Sequence, residues 1–295
     1  MQARLWNKLF RAEWRKIVGN RWATGCMIWI FPALAVLGIA LALLAAVLSS
    51  DFQTSLKDGP ATWTETAVIA WLIPINPLGR LLLIGFTAVL FAGEYQWNTW
   101  KVIVPRSQRV PLILVKFFAV AVFVVFAFAL MSILLTAGIG LVSAVVGASY
   151  GPDINGDVLR DFAEDYSLNM IAAFLTTILA AGFAALAAMI TRSILGSAVI
   201  GIVVTLGENF LVLPLSLIAD LLRADIFQHL FRFTPGYNLN RIMAYLFGEI
   251  PEGLELQSGK ILHDTQLFSE AVLAVWMVGL VALTAYLFQR QDVTN

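Results

Sequence analysis

One cysteine, Cys26, and two histidines, His229 and His263, are all that the 295 residues hold of the softer metal ligands. A single thiol excludes a disulfide framework within the chain, and so few ligands leave little to build a metal cluster from; no metal is expected. No Gly-x-x-x-x-Gly-Lys-Ser/Thr stretch occurs, so the backbone cradle and lysine that hold nucleotide phosphates are missing. His-Glu-x-x-His and Gly-x-Ser-x-Gly are missing too, and neither histidine stands near a nucleophile in sequence. Charge is scarce: 13% of residues are charged and 60% are hydrophobic. A water-soluble domain of this length would need far more polar surface to cover itself.

What the chain has instead is long apolar runs. A helix crossing about 30 Å of hydrocarbon needs about 20 apolar residues, and six stretches qualify. They cover approximately residues 22–49, 67–93, 112–147, 168–191, 193–219 and 271–289. The third exceeds one crossing and is expected to tilt or protrude. The stretch ATGC ends at Cys26 in the manner of a lipoprotein processing site, but the apolar run follows that cysteine, so no processing is expected.

Net charge is zero, yet the charges are unevenly placed. The N-terminal segment, the loop after the second run, Arg192 and the tail hold 12 Lys/Arg against 3 Asp/Glu, namely Glu13, Glu94 and Asp292. The opposite side holds 6 Lys/Arg against 15 Asp/Glu, including the cluster at 153–166. Positively charged loops stay in the cytoplasm, so both termini are expected inside. Arg80 and Glu208 are left for the membrane interior, at nearly equal depth about 20–22 Å above the cytoplasmic interface. Each needs a partner or water there. They are expected to approach each other, within one chain or across a dimer, either along a substrate path or as a static pair orienting two helices.

The fold expected is therefore an all-α polytopic membrane protein with six transmembrane helices, a single transmembrane domain over 1–295. Residues 1–21 are expected as an interfacial helix: Trp6, Phe10, Trp14 and Ile17 form one stripe, opposite Arg4, Lys8, Arg11 and Arg15. Such a helix serves as an anchor to anionic lipid or as a contact for a cytoplasmic partner. Residues 220–268 alternate apolar and charged positions at helical spacing and are read as an outer loop with two short amphipathic helices, parted by Thr234, Pro235 and Gly236. Pro74, Pro77 and Pro214 are expected to kink the second and fifth runs near their outer ends. Phe31, Trp71, Phe86 and Phe210 are open to two uses, lining an amphiphile path or packing.

The segment EYQWNTWKVIVPRSQRVPLILVKFF, residues 94–118, resembles the cytoplasmic loop of type-2 ATP-binding-cassette (ABC) exporter permeases. In that family a glutamate closing the second span is followed by a Gly-Thr pair, a basic residue, a short apolar stretch and a Pro-x-x-Arg turn, ahead of a lysine opening the third. Here those features are Glu94, Thr99, Lys101, Pro105, Arg109 and Lys116, with three residues instead of two between Pro105 and Arg109. Asn98 stands where the family has glycine, and an unusual bend is expected there.

The resemblance implies a permease subunit without an ATPase site of its own. Its partners would be two cytoplasmic ABC ATPase subunits, which bind ATP and Mg, and a second permease copy or paralogue, in the cytoplasmic membrane of a prokaryote. No cofactor on this chain and no nucleic-acid partner are implied. Residues 94–111 would form the cytoplasmic coupling loop, with Trp97, Trp100, Val102 and Ile103 as apolar anchors and Glu94, Lys101, Arg106 and Arg109 as ionic contacts. Arg192, in the short turn between the fourth and fifth runs, would be a second contact. Taken without the resemblance, the loop also suits an interfacial segment meeting anionic lipid. Two other functions stay open: a secondary transporter using Arg80 and Glu208, and a non-transporting membrane assembly factor.

Overall fold

A computed structural model of the chain describes residues 2–20, 24–25, 28–100, 108–222 and 224–291. Twelve helices are used below: α1 (Gln2–Gly19), α2 (Ile30–Leu48), α3 (Ser50–Asp58), α4 (Trp63–Ile75), α5 (Pro77–Gln96), α6 (Arg109–Val146), α7 (Gly156–Thr191), α8 (Ile194–Phe210), α9 (Val212–Leu222), α10 (Ile226–Phe231), α11 (Pro235–Leu246) and α12 (Gln266–Arg290). Five of them, α2, α5, α6, α7 and α12, are long and apolar enough to cross a membrane; the bent pair α8–α9 makes a sixth span if counted as one. The chain is thus an all-helical, multi-pass membrane protein. The small exception is a hairpin, β1 (Leu254–Glu255) antiparallel to β2 (Ile261–Leu262), whose turn uses Gly259 at φ +79°.

Three apolar runs differ from their sequence outline. The second, 67–93, is not one helix: α4 ends at Ile75 and α5 begins at Pro77, with Asn76 extended between them (φ −72°, ψ 138°). Pro77 has no N–H to continue the ladder and pushes the residue before it out of the α region. Asn76 then caps the new helix, its Oδ1 accepting from the Leu78 amide at 3.0 Å. The helices crowd at this break, since a Cβ on Gly79 would lie 2.0 Å from the Ile73 carbonyl oxygen. The fifth run is bent by 59° between α8 and α9. Pro214, three residues into α9, cannot donate to the Phe210 carbonyl. In the fourth run, the acidic residues from Asp157 to Asp165 belong to α7 and not to a loop. Asn155 accepts from the Val158 amide at 2.9 Å, and carboxylates suit the positive end of a helix dipole.

The chain packs as two compact units. One comprises residues 15–82 and 120–174. In it α2 meets α6 closely: a Cβ on Gly138 would come within 2.3 Å of Ile39, so glycine leaves the hollow that Ile39 fills. Ala46, Val142 and Val146 continue this seam, with Phe52 and Leu56 of α3 against it. Trp71 packs edge-on to Tyr166 (5.6 Å) and beside Phe128, while Ser132 donates to the Ala67 carbonyl at 2.7 Å.

The other unit comprises residues 1–14, 83–119 and 175–295. Small residues let its helices approach: Ile84 packs with Ala180 and Ala184, and Gly201 lies so near that a Cβ would fall 2.8 Å from Ile84. Ser197 donates to the Ala184 carbonyl at 2.7 Å, which ties α8 to α7. Leu179, Leu239, Ile242, Leu273 and Leu280 seat α11 against α7 and α12.

The segment between α9 and α12 forms a cap within this unit. Thr234 caps α11 by accepting from the Tyr237 amide, with Pro235 in the first turn, so α10 and α11 stand on either side of it. Asp264, 5% exposed, is the hub of the cap. Arg232 donates through Nε to its carboxylate at 3.0 Å, and Tyr237 donates to it at 2.9 Å. Arg241 Nη2 and the Tyr245 hydroxyl both donate to its backbone carbonyl, at 2.7 and 3.0 Å. Burial alone would raise the Asp264 pKa, but the bonds from Arg232 and Tyr237 outweigh it and hold the carboxyl below its usual range. Tyr237 is pushed up to about 12, first by burial and then by its bond to Asp264.

Candidate functional site

The signature segment begins where α5 ends, and its backbone closes that end in a specific way. The Asn98 amide donates to the Tyr95 carbonyl (3.2 Å) and the Thr99 amide to the Glu94 carbonyl (3.0 Å). These are the two bonds of a Schellman cap, which needs a left-handed residue between its amides. Asn98 is that residue, at φ +54°. Asparagine is among the few residues other than glycine that enter this region readily. The bend falls at the position where the resembled family has glycine.

Below the cap lies a buried ionic cluster. Lys116, on the first turns of α6, donates to Glu94 Oε1 at 2.8 Å, to Glu13 Oε2 at 2.8 Å and to the Leu90 carbonyl at 3.1 Å. All three of its protons are placed, and its side chain is 2% exposed. The Trp100 ring closes over the ammonium at 5.3 Å and the Phe91 ring at 5.9 Å. The other oxygen of Glu94 accepts from the Thr99 hydroxyl. Glutamate and lysine 22 residues apart in sequence thus share one site, and α1 supplies a second carboxylate to it.

A second layer of contacts ties this base to the end of α12 and to the turn after α7. Arg109 Nη1 donates to the carbonyls of Phe288 (3.1 Å), Gln289 (2.8 Å) and Gln291 (2.7 Å), satisfying acceptors that a helix C-terminus leaves open. Trp100 packs on Phe288 with ring centroids 4.4 Å apart. The Tyr95 hydroxyl bonds Gln291, whose amide in turn donates to the Met189 carbonyl at 2.6 Å. Arg192, which also has a left-handed backbone (φ +52°), carries its guanidinium 5.9 Å from the Tyr95 ring centroid.

The residues picked from the sequence therefore divide. Glu94 and Trp100 are buried and make their contacts inside the chain, Thr99 bonds Glu94, and Arg109 is engaged by the end of α12. Trp97 is 55% exposed and its ring lies across Gly93, where a Cβ would come within 2.7 Å of it. Arg192 is exposed. Lys101, Val102, Ile103, Pro105 and Arg106 lie outside the described residues, as does Cys26. Glu13, Tyr95, Met189 and Gln291 were not singled out from the sequence. Only Glu13 left a signal, as the one acid among six Lys/Arg in the first 21 residues.

The two charges expected within the membrane, Arg80 and Glu208, belong to different units. Arg80 donates through Nη2 to the Ile75 carbonyl at 2.6 Å and through Nε to the Pro74 carbonyl at 3.3 Å. It neutralises the end of α4 that the break at Asn76 leaves open. Glu208 is half-buried near the end of α8, beside Gly236, and borders a cavity of about 550 Å³ with Tyr237, Asn240 and Arg241. Among the aromatic candidates Phe31, Trp71 and Phe86 are buried and Phe210 is exposed. Among the described residues no group of three or more His, Cys, Asp or Glu is placed to hold a metal ion.

The long apolar helices place the chain among multi-pass membrane proteins. No family model matches the sequence, and no curated protein matches it.

Proposed function

We propose that the chain is the membrane-spanning permease subunit of an ATP-driven exporter of the type-2 ABC kind. In this reading two copies, or one copy and a paralogue, pair with two cytoplasmic ATPase subunits in a prokaryotic cytoplasmic membrane. The observation that supports it best is the joining of the loop's spaced residues into one rigid base: Glu94, Thr99 and Lys116 bonded together beneath a left-handed Asn98. A partner pushing on this loop would act on α1, α5, α6 and the end of α12 at once, because all four are bonded through Lys116, Trp100 and Arg109. A lever transmits force only if its base does not yield.

In this reading Trp97, Lys101, Arg106 and Arg192 meet the ATPase, whereas Glu94, Trp100 and Arg109 hold the loop in shape. The division gives a direct test. Gentle detergent extraction from the native membrane should bring down a soluble ATPase of the cassette type. Combining Trp97→Ala with Arg106→Glu and Arg192→Glu should release it while the permease stays folded. Extraction that yields no ATPase, or association that survives all three changes, refutes the reading.

A further inference from the structure

We infer that the exposed basic face of α1 is a contact surface for anionic lipid head groups, and that Glu13 passes this contact on to the base of the loop. The inner face of α1 is turned to the protein. The Phe10 and Trp6 rings lie 5.4 and 6.2 Å from the Phe118 ring of α6, and Glu13, 2% exposed, accepts from Lys116 at 2.8 Å. What α1 leaves outside is Lys8, Arg11 and Arg15, three and four residues apart and so on one face, all exposed. Glu13 is the only acid in the first 21 residues, and Lys116 has taken its carboxylate inward. Among the described residues, none offers Lys8, Arg11 or Arg15 an ionic partner.

The place of this face selects lipid over a soluble partner. α6 has 38 residues, well beyond the about 20 that cross hydrocarbon, and its only charges, Arg109 and Lys116, stand in its first two turns. Those turns therefore lie at head-group level, and Leu114 and Phe118, both exposed there, meet the acyl chains. A helix held against Phe118 keeps its outer cations at the depth of the lipid phosphates. Each cation near an anionic surface strengthens attachment by about fivefold. Occupied in this way, the face holds α1 down, α1 holds Lys116 through Glu13, and Lys116 holds Glu94 beneath the Asn98 cap. Lipid charge then sets how firmly the loop is based. The contact goes beyond the exporter reading and does not depend on it, since lipid binding needs no ATPase.

The test is amide exchange of the full-length chain in lipid nanodiscs. With about one-third phosphatidylglycerol in phosphatidylcholine, the α1 amides of residues 8–16 should exchange roughly tenfold more slowly than in phosphatidylcholine alone. High salt should erase the difference, because exposed charges are screened. A variant combining Lys8→Gln, Arg11→Gln and Arg15→Gln should match the parent in phosphatidylcholine and lose the response to phosphatidylglycerol. The amides of residues 94–99 should slow together with α1 in the parent, whereas in Glu13→Ala the response should persist in α1 and vanish at 94–99. If the triple variant fails to fold, the salt dependence of the parent carries the test. Equal exchange in the two lipids would leave the face to an acidic protein and overturn the proposal. So would a response that survives high salt or the triple variant, or one at 94–99 that survives Glu13→Ala.

Discussion

Replacing Lys116 by Met should be the most damaging single change in the base of the loop. The substitution keeps the length of the side chain but removes three hydrogen bonds and the cation shared by Glu13 and Glu94, all in a site only 2–5% exposed. Removing one partner of a buried ion pair typically costs about 3–5 kcal/mol, because the remaining charge stays in a low-dielectric surround. For a chain of this size that is a loss of roughly 6–15 °C in midpoint. Glu13→Gln should be much milder, about 1–2 kcal/mol, since the amide oxygen still accepts and the Glu94–Lys116 pair survives. Combining the two should give a protein at least as stable as Lys116→Met alone, because one of the two stranded carboxylates is gone. That makes the coupling energy of the cycle about 1–3 kcal/mol. The assay is the fraction of monodisperse protein surviving graded heating in detergent, read by size-exclusion chromatography. A Lys116→Met midpoint within about 2 °C of the parent, or a double variant showing simple additivity, refutes a shared cation.

Three further outcomes follow from the same geometry. Asn98→Gly should leave thermal stability nearly unchanged, while Asn98→Val should cost about 1–2 kcal/mol by forcing a β-branched residue to positive φ; equal midpoints would argue against the left-handed cap. Arg80→Gln should lower the midpoint by the equivalent of about 1.5–3 kcal/mol, as the Pro74 and Ile75 carbonyls lose a charged donor, with Arg80→Lys recovering part of it; no loss in either variant would contradict the capping role. In the cap, the Asp264 pKa is lower folded than unfolded, so its stabilisation is complete above about pH 4 and fades as acid brings the pH down through the folded value. The Tyr237 pKa is raised to about 12, so its stabilisation is complete below about pH 10 and fades as pH rises through 12. Amide exchange across 232–265, corrected for intrinsic rates, should be best protected between these limits, and Asp264→Asn should flatten the acid limb; an acid limb that persists in Asp264→Asn would exclude this origin.

The apolar runs were legible because twenty residues of hydrocarbon-compatible sequence leave the chain few alternatives. Their ends were less so. The acidic residues 157–165 read as loop by charge, yet a helix N-terminus tolerates and favours carboxylates, and α7 extends through them. The prolines marked where the second and fifth runs yield, but hydropathy alone could not tell a kink from the separation into α4 and α5 at Asn76. Within the candidate site, Glu94, Lys116 and Asn98 stood out only through the resemblance of residues 94–118 to the permease loop. The inward direction of Trp100 and Arg109 was not, because tryptophan and arginine suit a docking face as well as a packed base. Glu13 lies 103 residues from Lys116, and no local pattern encodes a contact of that separation.

The clasp between Arg109 and the end of α12 also has a meaning in time. Its acceptors lie 179 to 182 residues downstream of the arginine, and the Tyr95 bond to Gln291 spans 196. At about 5–20 residues per second, roughly 10–40 s separate synthesis of the loop from synthesis of the residues that close over it. A nascent chain can insert its first four spans and still have an open base beneath the loop. Closure waits on α12, so a partner that recognises only the closed form would bind chains in which α12 is in place and pass over those truncated before it.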